Sequence, residues 1–183
     1  MLVYHGTSAD NLKSIKRDGL VISTDKIWTA SLEQVYFWTD RYLDMEYPDW
    51  KEDGINPSEY LRKQAADSAM CAAAKAKDCR LVVVVCDIPE DEILVDNSCP
   101  NMEGASCIDR SILPSEIVEI WVSNDLGLLR GYFIALMMER ELNAIEFSPL
   151  EMEIGKIFTK AQLYSDTIDD IITWRKYAAK NHN

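Results

Sequence analysis

The chain has 183 residues, 48% of them hydrophobic and 27% charged, with a formal net charge of −12 and a pI near 4.6. This length and balance predict one globular domain over residues 1–183 and exclude a disordered or low-complexity chain. The acidity argues against a tight sequence-independent nucleic-acid binder, which needs a basic face to release counterions, and leans a macromolecular partner toward protein.

In chain order, Leu2-Val3-Tyr4 reads as a strand ending at His5-Gly6-Thr7. Ala9, Leu12 and Ile15 then fall on one helical face, and Gly19-Leu20 has the form of a helix stop. In this reading the strand hands over to the helix through Gly6, which leaves backbone N–H groups open to a small polar ligand. Val35-Tyr36-Phe37-Trp38 is a second β-prone run, with a short helix expected after Thr39 or Asp40 through Tyr47. Asn56, Pro57 and Glu59 fit N-cap, N1 and N3 of a helix reaching about Lys77. Its stripe of Leu61, Ala65, Ala69, Ala72 and Ala76 suits close packing on a sheet.

Arg80–Ile88 is the strongest strand signal, because a continuous valine run implies burial on both faces and a central position. Further strands are expected at Glu92–Val95, Ala105–Arg110 and Glu116–Val122. From Leu126 the spacing turns helical to Leu142, and a last helix is expected from about Asp166 to Ala178, so that about 125–183 reads as a helical C-terminal part. Strands with inserted helices and no regular βαβ alternation predict an α+β fold.

Five cysteines without a C-x-x-C pair, and only two histidines, His5 and His182, give poor support for a metal site. The same cysteine usage fits reduced, buried thiols in an intracellular, cytoplasmic protein better than a disulfide framework or a cysteine nucleophile. No signal peptide is evident, and no apolar stretch approaches membrane-spanning length, so no membrane partner is expected.

The first twenty residues carry a family signature. His5, Gly6 and Thr7, followed by Asn11, Leu12, Ile15, Gly19 and Leu20, resemble the opening of the diphtheria-toxin-like ADP-ribosyltransferases, which include the PARPs. The resemblance implies a split mixed β-sheet core with surrounding helices and an enzyme that transfers ADP-ribose from NAD to a macromolecular acceptor, releasing nicotinamide. It implies that His5 binds the adenosine ribose of NAD and that the Gly6 backbone grips the nicotinamide carboxamide, with Thr7 completing the triplet.

Two further segments extend the likeness. Val35-Tyr36-Phe37-Trp38-Thr39-Asp40 is similar to the family's Ile-Tyr-Phe-Ala-Asp strand, and Tyr47 follows Tyr36 by eleven residues. The resemblance implies a nicotinamide sandwich between Tyr36 and Tyr47, and a flat electron-poor pyridinium suits such faces. Tyr42 is the nearest competitor, and the extra residue between Trp38 and Asp40 departs from the family spelling. A glutamate leading a late strand should support the transition state; Glu92, Glu103, Glu116 and Glu119 are available, and Glu103 best matches the order strand, Pro corner, Ile-rich strand. Two other readings accompany this one: an inactive fold of the same kind serving as an acidic binding module, and a tRNA 2′-phosphotransferase-like enzyme, which also consumes NAD but carries more arginines in its site.

Overall fold

The computed structural model describes residues 1–22, 34–41, 44, 49–78, 80–96, 106–124 and 174–178. The valine run forms β3 (Leu81–Asp87), which lies inside a four-stranded sheet between β1 (Leu2–Ser8) and β6 (Ile117–Ser123). Six consecutive residues of β3, Leu81 to Cys86, are buried, as expected for a strand covered on both faces. The outer strand beyond β6 is β7 (Trp174–Ala178). A second, three-stranded sheet has the order β2 (Val35–Phe37), β5 (Ser106–Ile108), β4 (Leu94–Val95). The architecture is therefore α+β with two sheets. Every pairing among the described strands is antiparallel, which corrects the mixed sheet expected from the sequence.

Among the described residues, two helices flank the larger sheet. The first, α1 (Leu12–Asp18), follows a 3-10 turn over Ala9–Asn11 and stops at Gly19, whose φ of 82° suits glycine. The second, α2 (Pro57–Lys75), begins where its cap residues place it: the Asn56 side chain accepts from the Ser58 and Glu59 N–H groups, and Pro57 occupies the first turn, where no N–H is needed. Ala65, Ala69 and Ala73 are buried, so α2 presents a shallow surface to the sheet.

Strand alternation sorts the core into two layers. Tyr4, Gly6 and the Val83 row lie under α2, as the Tyr4 hydroxyl bond to Ser58 Oγ (3.0 Å) attests. Val3, Val82, Val84 and Cys86 lie on the other face, in one cluster with Ile15 of α1 and with Val35, Phe37 and Ile108 of the second sheet. The two sheets thus share a core.

Two sequence expectations are corrected. The first strand does not end at the His5-Gly6-Thr7 triplet; it runs through it to Ser8, because Thr7 and Ser8 still pair with Val82 and Leu81. The chain also does not remain helical to Ala178. Residues Trp174 to Ala178 pair with Ser123 to Glu119, so the unpaired edge of β6 supplies backbone partners that local helical spacing does not register. The helices expected over Leu126–Leu142 and from Asp166 up to β7 lie outside the described residues, as does most of the short helix expected before Tyr47. Among the described residues, no helix is long and apolar enough to cross a membrane.

Candidate functional site

The site is the place where the two sheets meet and part. Tyr4 and Trp38 exchange two backbone hydrogen bonds, each 2.9 Å, forming an isolated bridge between β1 and β2. Had the ladder continued, Gly6 and Tyr36 would be the next hydrogen-bonded pair, but no bridge forms there. Instead the His5 ring reaches across, and Nδ1 lies 2.8 Å from the Tyr36 carbonyl oxygen.

The parity of β1 fixes where the Gly6 backbone points. Ile88 N–H donates to the Met1 carbonyl (3.0 Å) and Ala9 N–H to the Arg80 carbonyl (3.0 Å), so the odd-numbered residues of β1 bond toward β3. Tyr4 bonds the opposite way, to Trp38, and Gly6 has the parity of Tyr4. The Gly6 N–H and C=O therefore point away from β3 and toward β2, at the break in the ladder, side by side as one donor and one acceptor.

What approaches the Cα of Gly6 is not β2 but α2. A Cβ at Gly6 would lie 1.6 Å from the Ala65 carbonyl oxygen. The glycine is thus required by helix–sheet packing, independently of any ligand.

His5 is held neutral. Burial of its ring pushes the pKa below its ordinary value, and the hydrogen bond to the Tyr36 carbonyl offsets this only in part. A carbonyl oxygen can only accept, so Nδ1 carries the proton and Nε2 is left as an acceptor. Thr7 is buried, and its hydroxyl oxygen accepts from Asn11 Nδ2 (2.9 Å), which ties β1 to the 3-10 turn rather than to β2.

Tyr36 is half-buried and shares a face of β2 with Trp38, whose indole N–H donates to Ser68 Oγ of α2 (2.8 Å). The Tyr36 hydroxyl donates to Gln34 Oε1 (3.3 Å), and Gln34 Nε2 donates to Asp109 Oδ1. His5, Gly6 and Tyr36 are therefore brought together, with Thr7 adjoining them. Tyr47, Tyr42 and Glu103 lie outside the described residues.

The other three glutamates considered from sequence are engaged elsewhere. Arg110 donates to Glu92 Oε2 (2.6 Å) and, through both terminal nitrogens, to Glu116 (2.9 and 2.7 Å). Glu116 also accepts the Leu113 N–H, and the Arg110 guanidinium holds its carboxyl below the usual range. Glu119 accepts from the Trp121 indole (2.8 Å) and from Lys176. Glu92 and Glu116 thus pair with Arg110 just before β4 and β6, and Glu119 pairs with Lys176 across β6 and β7. Both described thiols are buried, and burial pushes Cys86 up to about 12 and Cys107 up to about 11, which disfavours the thiolate.

Sequence reasoning missed Gln34 and Asp109. Their pairing follows from the β2–β5 register, in which Val35 faces Ile108, and no local signal reports that register. No family model, curated protein or solved structure matches the chain.

Proposed function

We propose that the chain is an NAD-dependent ADP-ribosyltransferase that releases nicotinamide and transfers ADP-ribose to a macromolecular acceptor. The observation that carries this reading is the Gly6 backbone, whose N–H and C=O point away from β3 toward the break in the β1–β2 ladder, beside a neutral His5. A carboxamide offers the complementary acceptor and donor, so the nicotinamide amide would pair with the Gly6 backbone as a short piece of ladder. His5 Nε2 would accept from a ribose hydroxyl. The half-buried Tyr36 ring supplies a face for the pyridinium, and Tyr47 is the second face in this reading.

The reaction breaks the bond between nicotinamide and ribose C1 with the electron pair leaving on nicotinamide. Positive charge builds on the ribose, and a carboxylate beside it stabilises that charge more in the transition state than in the ground state. We assign this role to Glu103, which precedes β5 by three residues. The acceptor then attacks C1 and loses a proton, for which the same carboxylate is the base. The net charge of −12 disfavours bare nucleic acid and favours a protein acceptor in a cytoplasmic setting.

The test is nicotinamide release from NAD, with and without cell lysate, followed by mass spectrometry of lysate incubated with labelled NAD. Release together with label on protein supports the reading. No release and no labelled product under either condition overturns it.

A further inference from the structure

We infer that Gln34 and Asp109 are positioning residues for Tyr36, acting as a hydrogen-bond relay that sets the orientation and electron density of its ring; this rests on the reading of Tyr36 as the nicotinamide-stacking residue. Gln34 immediately precedes β2, two positions before Tyr36, and its side chain meets the Tyr36 hydroxyl. Across the ladder, Val35 faces Ile108, which places Asp109 opposite Gln34. The proton directions then run one way. The Tyr36 hydroxyl donates to Gln34 Oε1 (3.3 Å), and Gln34 Nε2 donates to the Asp109 carboxylate.

Two consequences follow from this direction. A phenol that donates to an amide oxygen, itself polarised by a carboxylate at the far end, keeps more electron density on its ring. Such a ring attracts an electron-poor pyridinium more strongly than an unpolarised one. The relay also fixes the phenol end of Tyr36, while the carbonyl of the same residue accepts from His5 Nδ1 at 2.8 Å. Tyr36 is thus held at its backbone by His5 of β1 and at its hydroxyl by Gln34, which is bonded in turn to Asp109 just beyond β5. An amide is the side chain that can perform this task, because it accepts at one atom and donates at the other.

The experiment uses the full chain with 3-fluorotyrosine incorporated, the Tyr36 resonance being assigned by its loss in Tyr36→Phe. Gln34→Leu removes both bonds from a partly exposed position, Asp109→Ala removes the far end, and Asp109→Asn keeps an acceptor for Gln34. We expect the Tyr36 resonance of the free protein to move in Gln34→Leu and Asp109→Ala and to return toward wild type in Asp109→Asn. We expect NAD to bind Gln34→Leu about threefold to fivefold more weakly, the size of one aromatic contact, with thermal stability near wild type. An unmoved resonance in both Gln34→Leu and Asp109→Ala overturns the relay. A moved resonance with unchanged NAD affinity overturns its positioning role while leaving the transferase reading intact. Failure of the wild-type protein itself to bind NAD overturns both, and that arm separates the two failures.

Discussion

The Cα of Gly6 faces the carbonyl oxygen of Ala65 so closely that a Cβ would sit 1.6 Å from it. Real Cβ atoms do not approach backbone oxygen to that distance, so either β1 or α2 must shift if any side chain is added. The stripe of Ala65, Ala69 and Ala73 brings the helix this near, and Gly6 completes the fit from the sheet side.

Gly6→Ala is expected to destabilise the fold by at least about 3 kcal/mol, the upper range for overpacking against backbone. The comparison is Gly54→Ala, where φ is 69° but no atom lies within 4 Å of the new Cβ. That change carries only the left-handed backbone cost, about 1–2 kcal/mol. Denaturant melts of the two variants measure the difference. Equal losses would mean that α2 does not seat on Gly6. Lost NAD binding in Gly6→Ala is therefore no evidence of a ligand contact.

Stability should fall in two steps as pH drops. His5 has a folded pKa below its ordinary 6.5, so the unfolded chain binds that proton more readily. Stability is then full above about 6.5 and declines as pH falls from there toward the folded pKa. Glu116 and Asp78 are shifted down by Arg110 and Arg80 respectively; their contributions are present above the unfolded carboxylate values and are lost as pH falls through the folded ones. Thermal melts across pH should show His5→Gln abolishing the first step and sparing the second. The same variant should bind NAD more weakly under the transferase reading, whereas unchanged affinity would leave His5 a clasp between β1 and β2.

Arg110 joins Glu92 at the start of β4 to Glu116 at the start of β6. The pairs are partly exposed, so solvent discounts them, but the two-nitrogen contact with Glu116 keeps part of the value. Arg110→Ala is expected to cost about 1–2 kcal/mol near neutral pH. The difference from wild type should shrink once pH falls through the folded pKa of Glu116. A pH-independent difference would show that packing, not charge, is what Arg110 contributes.

Under the transferase reading, the carboxylate proposed for catalysis, Glu103, and the ring proposed for stacking, Tyr36, are separable by their kinetics. Glu103→Gln should bind NAD but turn it over more slowly by a factor on the order of 10² or more, because the lost charge acts in the transition state. Glu92→Gln, Glu116→Gln and Glu119→Gln should stay within roughly a few-fold of wild type, since these carboxylates are committed to Arg110, Trp121 and Lys176. Tyr36→Ala should weaken NAD binding by on the order of 1 kcal/mol beyond area burial, and Tyr36→Phe by less, because the ring remains. If one of the three control variants abolishes turnover while Glu103→Gln stays active, the carboxylate is misassigned. Single-turnover kinetics on the set decides it.

The sequence by itself determined the elements whose signals are local. The valine run specified a central strand, because six consecutive buried residues leave no solvent face. Asn56-Pro57 specified the start of α2 and Gly19 the end of α1, because caps act through neighbours within one turn. Cross-strand register and edge pairing were decided only by the tertiary structure. The β1–β3 ladder and the single bridge at Tyr4 and Trp38 leave the Gly6 backbone pointing toward β2, and the β2–β5 register sets Asp109 against Gln34. The free edge of β6 draws Trp174–Ala178 into a strand, and Arg110 claims two of the glutamates that sequence left equivalent. Each of these depends on backbone or charged groups finding partners far away in the chain, and no local pattern of side chains encodes which distant partner is within reach.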